Sequence, residues 1–145
     1  MYDPSTHFLI AHEWAYGVTE VVHILSMALG IGLITLVDLH LLGVNLAGAS
    51  GERLLRATAA GTVAGLVLAI TSGLLISSTD PLRYFSHPTM RLKLMLVVVG
   101  VAFNYMVHDR VVRGAHTPQV RRTVAVVSLA LWTGTVFGGI FYAFT

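Results

Sequence analysis

Seven histidines stand in a chain of 145 residues of which only 11% are charged. His23, His40, His87 and His108 lie in or beside strongly apolar segments, as do Glu20, Asp38 and Lys93. Ionisable groups in such segments are costly, so each needs a reason. Haem is one. Its iron takes one or two axial imidazoles, and helix bundles hold the flat macrocycle between facing helices. Copper is another, because it suits histidine and methionine. His7, His12, His23 and His87 fall toward one end of the segments, with Met27 and Met90 offering sulfur. A proton or ion relay through Glu20, His23, Asp38 and Lys93 is a third, although the chain carries no sign of an inverted repeat or broken helices.

Depth and face sort these groups. With Gly32 and Gly100 as midpoints, His23 lies roughly 13 Å and Lys93 about 10 Å toward one end. His40 and His108 both lie roughly 12 Å toward the other. Glu20, His23, Met27, Gly30, Ile34 and Asp38 share one helical stripe, and Lys93, Val97, Gly100, Asn104 and His108 share another. These two faces are expected to meet inside a bundle. An outer layer then holds Glu20, His23 and Lys93, with His12, Tyr84 and His87 near by. An inner layer holds Asp38, His40 and His108, with Arg56 near by.

An outer haem b takes His23 as axial ligand. Its opposite ligand is His87, His12, Lys93 or nothing, and Lys93 and Tyr84 serve the propionates or a quinone. An inner haem takes His40 and His108, which match in depth. Blander readings stand beside these. His40 and His108 can snorkel to the headgroups. His23 can be a neutral histidine bonded to Glu20 or to a carbonyl, and Asp38 can pair with Arg56.

The elements that position these groups follow from composition. Hydrophobic residues make up 55% of the chain, and so few charges cannot cover a soluble surface. Four apolar segments, about residues 16–46, 55–77, 92–107 and 123–144, are near the length that crosses a bilayer. Strands cannot span lipid in isolation. The expected fold is therefore all-α, a single up-down bundle of four transmembrane helices joined by short loops. Arg53, Arg56, Arg110, Arg113, Arg121 and Arg122 flank loops one and three, against Arg83, Arg91 and Lys93 at loop two. This imbalance puts loops one and three in the cytoplasm and both termini outside, periplasmic in a bacterial inner membrane. Residues 1–20 hold no Lys or Arg, so they do not read as a secretory signal. Residues 5–16 either extend the first helix or lie on the membrane surface. Gly61 with Gly65, and Gly134 with Gly138, form G-x-x-x-G pairs that let helix backbones approach.

There is no cysteine, which excludes disulfides, iron–sulfur clusters and covalently held c-type haem. A net charge of +2 gives no case for nucleic acid. No Ser/His/Asp, phosphate-loop or dinucleotide motif stands in suitable context.

Glu20-Val-Val-His23-Ile-Leu-Ser-Met-Ala-Leu-Gly30 and Val37-Asp38-Leu-His40-Leu-Leu-Gly43 resemble a family of small bacterial membrane proteins of unknown function. The likeness continues through Thr71-Ser-Gly73-Leu-Leu, Arg83-Tyr84-Phe-Ser-His87-Pro-Thr-Met-Arg-Leu-Lys93 and Leu131-Trp132-Thr-Gly134, touching all four segments. That family implies a fold and no reaction. In it an arginine is expected where His40 stands and no histidine where His108 stands, so an inner haem would be special to this chain. The layout is also similar to the HemJ-type protoporphyrinogen oxidases and the CopD-type copper-resistance proteins. His23, Gly30 and Lys93 match the HemJ-type pattern, which implies bound b-type haem. Asp38-Leu-His40-Leu-Leu-Gly43 replaces the arginine- and tyrosine-bearing segment of that group, so the oxidase activity is not implied. The expected function is quinone-linked electron transfer within a larger redox complex, an oxidoreductase subunit rather than an enzyme alone. The alternatives are a cofactor-free accessory or assembly subunit, and a CopD-like copper-handling protein.

Overall fold

Lipid offers backbone N–H and C=O groups no partners, so long apolar runs close their hydrogen bonds within helices. The computed structural model describes residues 7–46 and 48–144, without the side chains of Glu13 and Ala143. In order the elements are α1 (Phe8–Ala11), α2 (Glu13–Leu41), α3 (Gly51–Ser77), α4 (Pro81–Ser86), α5 (Pro88–Phe103), a π-helical turn (Asn104–His108), α6 (Asp109–Arg113) and α7 (Pro118–Ala143). Four stretches are long and apolar enough to cross a membrane: Trp14–Leu41, Gly51–Ser77, Pro88–Arg113 and Pro118–Tyr142. The protein is an all-α, four-helix, multi-pass membrane bundle, as expected.

The helix ends have local causes. Gly43 (φ 101°) follows the end of α2, and only glycine adopts such backbone freely, so the helix stops at Leu41 rather than near residue 46. The Ser50 hydroxyl accepts from Arg53 N (3.3 Å) at the start of α3. Asp80 accepts from Arg83 N (3.1 Å) before α4, and Thr117 accepts from Val120 N (3.4 Å) before α7. Helices α3, α5 and α7 begin at residues 51, 88 and 118, ahead of the expected 55, 92 and 123. Their first turns carry charge, but a charge at a helix end reaches headgroups and water. Residues 8–11 form a separate helix, because His12 has extended backbone (φ −128°, ψ 96°). Residues 5 and 6 lie outside the described residues.

Helix α2 packs along α3, α5 packs along α7, and contact of α2 with α7 joins the pairs. Both G-x-x-x-G pairs lie in these seams. A Cβ on Gly65 would stand 2.5 Å from Gly30 N, and one on Gly138 3.3 Å from Lys93 Cβ. Apolar side chains such as Leu25, Val98 and Phe141 face outward, while Ser26, Asp38, Asn104, His108 and Ser128 are buried. Such a polarity suits lipid as the solvent. One apolar cluster contains Val37, Leu41, Leu55, Val112 and Val124, and the other contains Ile34, Leu66 and Trp132. Both lie in the middle and the loop-one half of the bundle. The half nearer the termini, which holds His23, His87 and Lys93, buries Leu9, Ala15, Ser72 and Met90.

Candidate functional site

His23 projects from α2 onto α3. Its Nδ1 lies 2.8 Å from the Ala69 carbonyl oxygen. A carbonyl only accepts, so Nδ1 carries the hydrogen and, in the neutral ring, Nε2 keeps a bare lone pair. The Ser72 hydroxyl lies 3.1 Å from the same Nδ1 and donates to Leu68 O. Gly73 makes room for the ring, since a Cβ there would come within 2.8 Å of His23 Cε1. The carbonyl bond is one of the two partners expected of a neutral histidine. It also does what a metal-binding imidazole requires, because it fixes the tautomer and the ring plane.

Lys93 and Glu20 both lie within electrostatic range of His23. Glu20 is exposed. Lys93 runs its stem over Gly138 and Gly139, and its ammonium has no ion pair among the described residues. His87 stands between α4 and α5, with its Nδ1 buried and without a hydrogen bond among the described residues. Its ring meets Tyr142 edge-on (5.1 Å), and Tyr84 stacks on the same Tyr142 (5.1 Å). The Tyr84 hydroxyl lies 3.4 Å from that of Tyr16, which ties α4 to α2.

Burial, followed by the Tyr16 hydroxyl, pushes the Tyr84 phenol from 10.0 up to about 12. The sign follows. Below pH 10 folded and unfolded chains both hold the proton, and the group is silent. Between about 10 and 12 only the unfolded chain loses it, so stability falls as pH rises. Alkaline unfolding of wild type should therefore be steeper in pH than that of Tyr84→Phe. Equal slopes would show that the phenol titrates normally.

The two polar faces do not meet along their length as expected, because α2 packs on α3 and α5 on α7; at the other end the contact of His108 with Asp38 joins them. His108 Nε2 and Asp38 Oδ1 share a hydrogen bond of 2.9 Å, and the Ser128 hydroxyl donates to Asp38 Oδ2 (2.8 Å). His108 is 1% exposed, while Asp38 and Ser128 are 0% exposed, so His108 does not snorkel. His108 Nδ1 faces Asp109 Oδ1 at 3.5 Å. Both ring nitrogens are thus engaged by carboxylates. Asp38 pairs with this histidine and not with Arg56, which pairs with Glu52 (3.2 Å). The π-helical turn sits where His108 meets Asp38. Beside it, a cleft of about 40 Å³ is lined by Thr58, Thr62, Asn104 and His108. The buried Asn104 Oδ1 has no partner among the described residues, and the cleft has room for a water.

His40 does not join this network. Its ring lies against Gly51, within 3.1 Å of the position a Cβ would take, and its buried Nδ1 has no partner among the described residues. His7 Nε2 lies 3.1 Å from Ser78 Oγ, and His12 Nδ1 donates to Phe8 O (3.1 Å). Among the described residues no three His, Asp or Glu side chains gather as a metal-binding group. Sequence reasoning missed Ser128 and the Ala69 carbonyl as partners. Ser128 had a signal, being a hydroxyl within an apolar span. A backbone carbonyl has none.

Set against known proteins, residues 11–145 match the model of a family of unknown function, DUF6644. No curated protein and no solved structure matches the chain.

Proposed function

Because the chain belongs to the DUF6644 family, whose function is unknown, we propose from its own residues that it is a membrane haem b protein. In this reading it passes electrons in a quinone-linked redox complex of which it is one subunit. The observation that carries the proposal is His23, a membrane-embedded imidazole with Nδ1–H anchored on Ala69 O and Nε2 free of any hydrogen bond among the described residues. Haem iron, when bound, supplies one-electron redox chemistry. His23 would hold the iron from α2. His87, whose buried Nδ1 has no partner among the described residues, is the candidate for a second residue that would hold it. Lys93, without an ion pair among the described residues, would offset propionate charge, and Tyr84 would border the same region or a quinone. The spacing of His23, Gly30 and Lys93 resembles that of the HemJ-type proteins, a likeness that would imply the same ligand.

The proposal has one haem. A ligand role for His108 would require it to give up Asp38 or Asp109, and His40 then lacks its opposite number. Copper has less support, because His7, His12, His23 and His87 do not form a cluster. The arginine imbalance favours loops one and three in the cytoplasm and both termini outside, so that this haem would lie toward the outer side, periplasmic in a bacterial inner membrane.

The test is a reduced-minus-oxidised absorption spectrum of purified protein expressed with ample haem, together with the haem-to-protein ratio. A b-type spectrum is expected at a ratio near one, and His23→Ala should abolish it while helical circular dichroism is kept. Absence of haem from folded wild type would sink the reading and favour an accessory subunit that purifies only with partners.

A further inference from the structure

The cavity at the loop-one end lies apart from the proposed haem site. It occupies about 460 Å³ between the end of α2, the turn at Gly43 and the start of α7. His40, His116, Arg121 and Arg122 line it, and among the described residues no carboxylate does. The nearby carboxylates are already taken. Glu52 pairs with Arg56, Asp109 faces His108, and Asp38 is buried with His108 and Ser128. Neither Arg121 nor Arg122 has an ion pair among the described residues, and His40 Nδ1 is buried without a partner. Leu41, Leu42 and Val44 complete the wall. The cavity is therefore cationic, uncompensated among the described residues and part apolar, and it sits at the end of a helix long and apolar enough to cross a membrane.

We propose that this cavity binds a phosphate-bearing anion. Guanidinium groups suit phosphate because their forked N–H donors match its oxygens. Basic pockets between membrane helices take lipid phosphates on the same physical grounds. The apolar wall suits the glycerol and first acyl carbons of an anionic phospholipid. A soluble phosphate would use the cations alone.

The experiment is native mass spectrometry of the detergent-purified chain with phosphatidylglycerol, cardiolipin or phosphatidylcholine. Thermal stabilisation by inorganic phosphate and by pyrophosphate is measured in parallel. Arg121→Gln/Arg122→Gln is compared with Arg53→Gln/Arg113→Gln, which removes the same charge from outside the cavity. Anionic lipid should be retained over phosphatidylcholine, and the cavity double variant should bind it roughly tenfold or more weakly. The outside pair should bind it nearly as wild type does. Stabilisation by soluble phosphate that the cavity variant loses, without lipid retention, would assign the same site to a soluble anion. Equal weakening by both double variants, or no preference for any phosphate anion over phosphatidylcholine, would overturn the proposal.

Discussion

Gly65→Ala is expected to destabilise the bundle by about 2–3 kcal/mol, more than alanine at any other glycine of the α2–α3 seam. The added Cβ would stand 2.5 Å from Gly30 N, 2.7 Å from Gly30 Cα and 2.9 Å from Ser26 O. All three are backbone atoms of one helix, so no rotamer change relieves the clash and α2 must move off α3. Gly61→Ala meets only Leu33 Cδ1, at 2.6 Å, which is the end of a flexible side chain. It should cost about 1 kcal/mol or less. Gly32 has nothing within 4 Å, and alanine there should be neutral or stabilise by up to about 1 kcal/mol through helix propensity. Thermal unfolding in one detergent tests the order. A Gly65→Ala protein as stable as Gly32→Ala would mean that the two helices are not held at this crossing.

The same positions show what was readable from the sequence. The spans were legible because apolar length and short turns are local properties, and lipid leaves only a few solutions for the backbone. The stripe from Glu20 to Asp38 was legible for the same reason. Helical spacing places Gly30, Ile34 and Asp38 on one face, and all three are buried. The motif at Gly61 and Gly65 was visible as a packing signal, but its partner was not. That Gly30 is the group opposite Gly65 depends on how two helices cross, which no local pattern encodes.

The candidate site was legible as a set of residues and not as a set of bonds. His23, Lys93 and His87 stood out because polar groups in apolar surroundings are rare. Their orientation did not follow. His23 turns to Ala69 on α3 rather than to Glu20 one turn away, since a carbonyl on a close-packed neighbour is reached without bringing a carboxylate into lipid. His40 and His108 matched in depth, yet depth ignores azimuth and the π-helical turn. One extra residue in that turn shifts the angular register, and His108 meets Asp38 while His40 lies on Gly51.

The Asp38–His108 pair should be the most strongly coupled pair in the protein. Asp38→Ala leaves the His108 imidazole and the Ser128 hydroxyl without their carboxylate at a place where both side chains are fully buried. Removing one member of a buried ionic pair costs about 3–5 kcal/mol. His108→Ala leaves the opposite fault, a fully buried carboxylate held only by Ser128, and should cost a similar amount. The double variant Asp38→Ala/His108→Ala removes both partners together and leaves mainly a cavity. Its cost should fall short of the summed single costs by about 2 kcal/mol or more, as for residues in one hydrogen-bonded network. Asp38→Asn keeps an acceptor for Ser128 and should lie between wild type and Asp38→Ala. The measurement is a thermal double-variant cycle, read with the haem-to-protein ratio of each folded form. Additive costs would mean that the two side chains are not in contact in the membrane. Loss of haem from folded His108→Ala would instead make this histidine a ligand, and the proposed single haem would have to be revised. Retained haem with a large coupling energy would assign the pair to holding α2, α7 and the third span together beneath the site at His23.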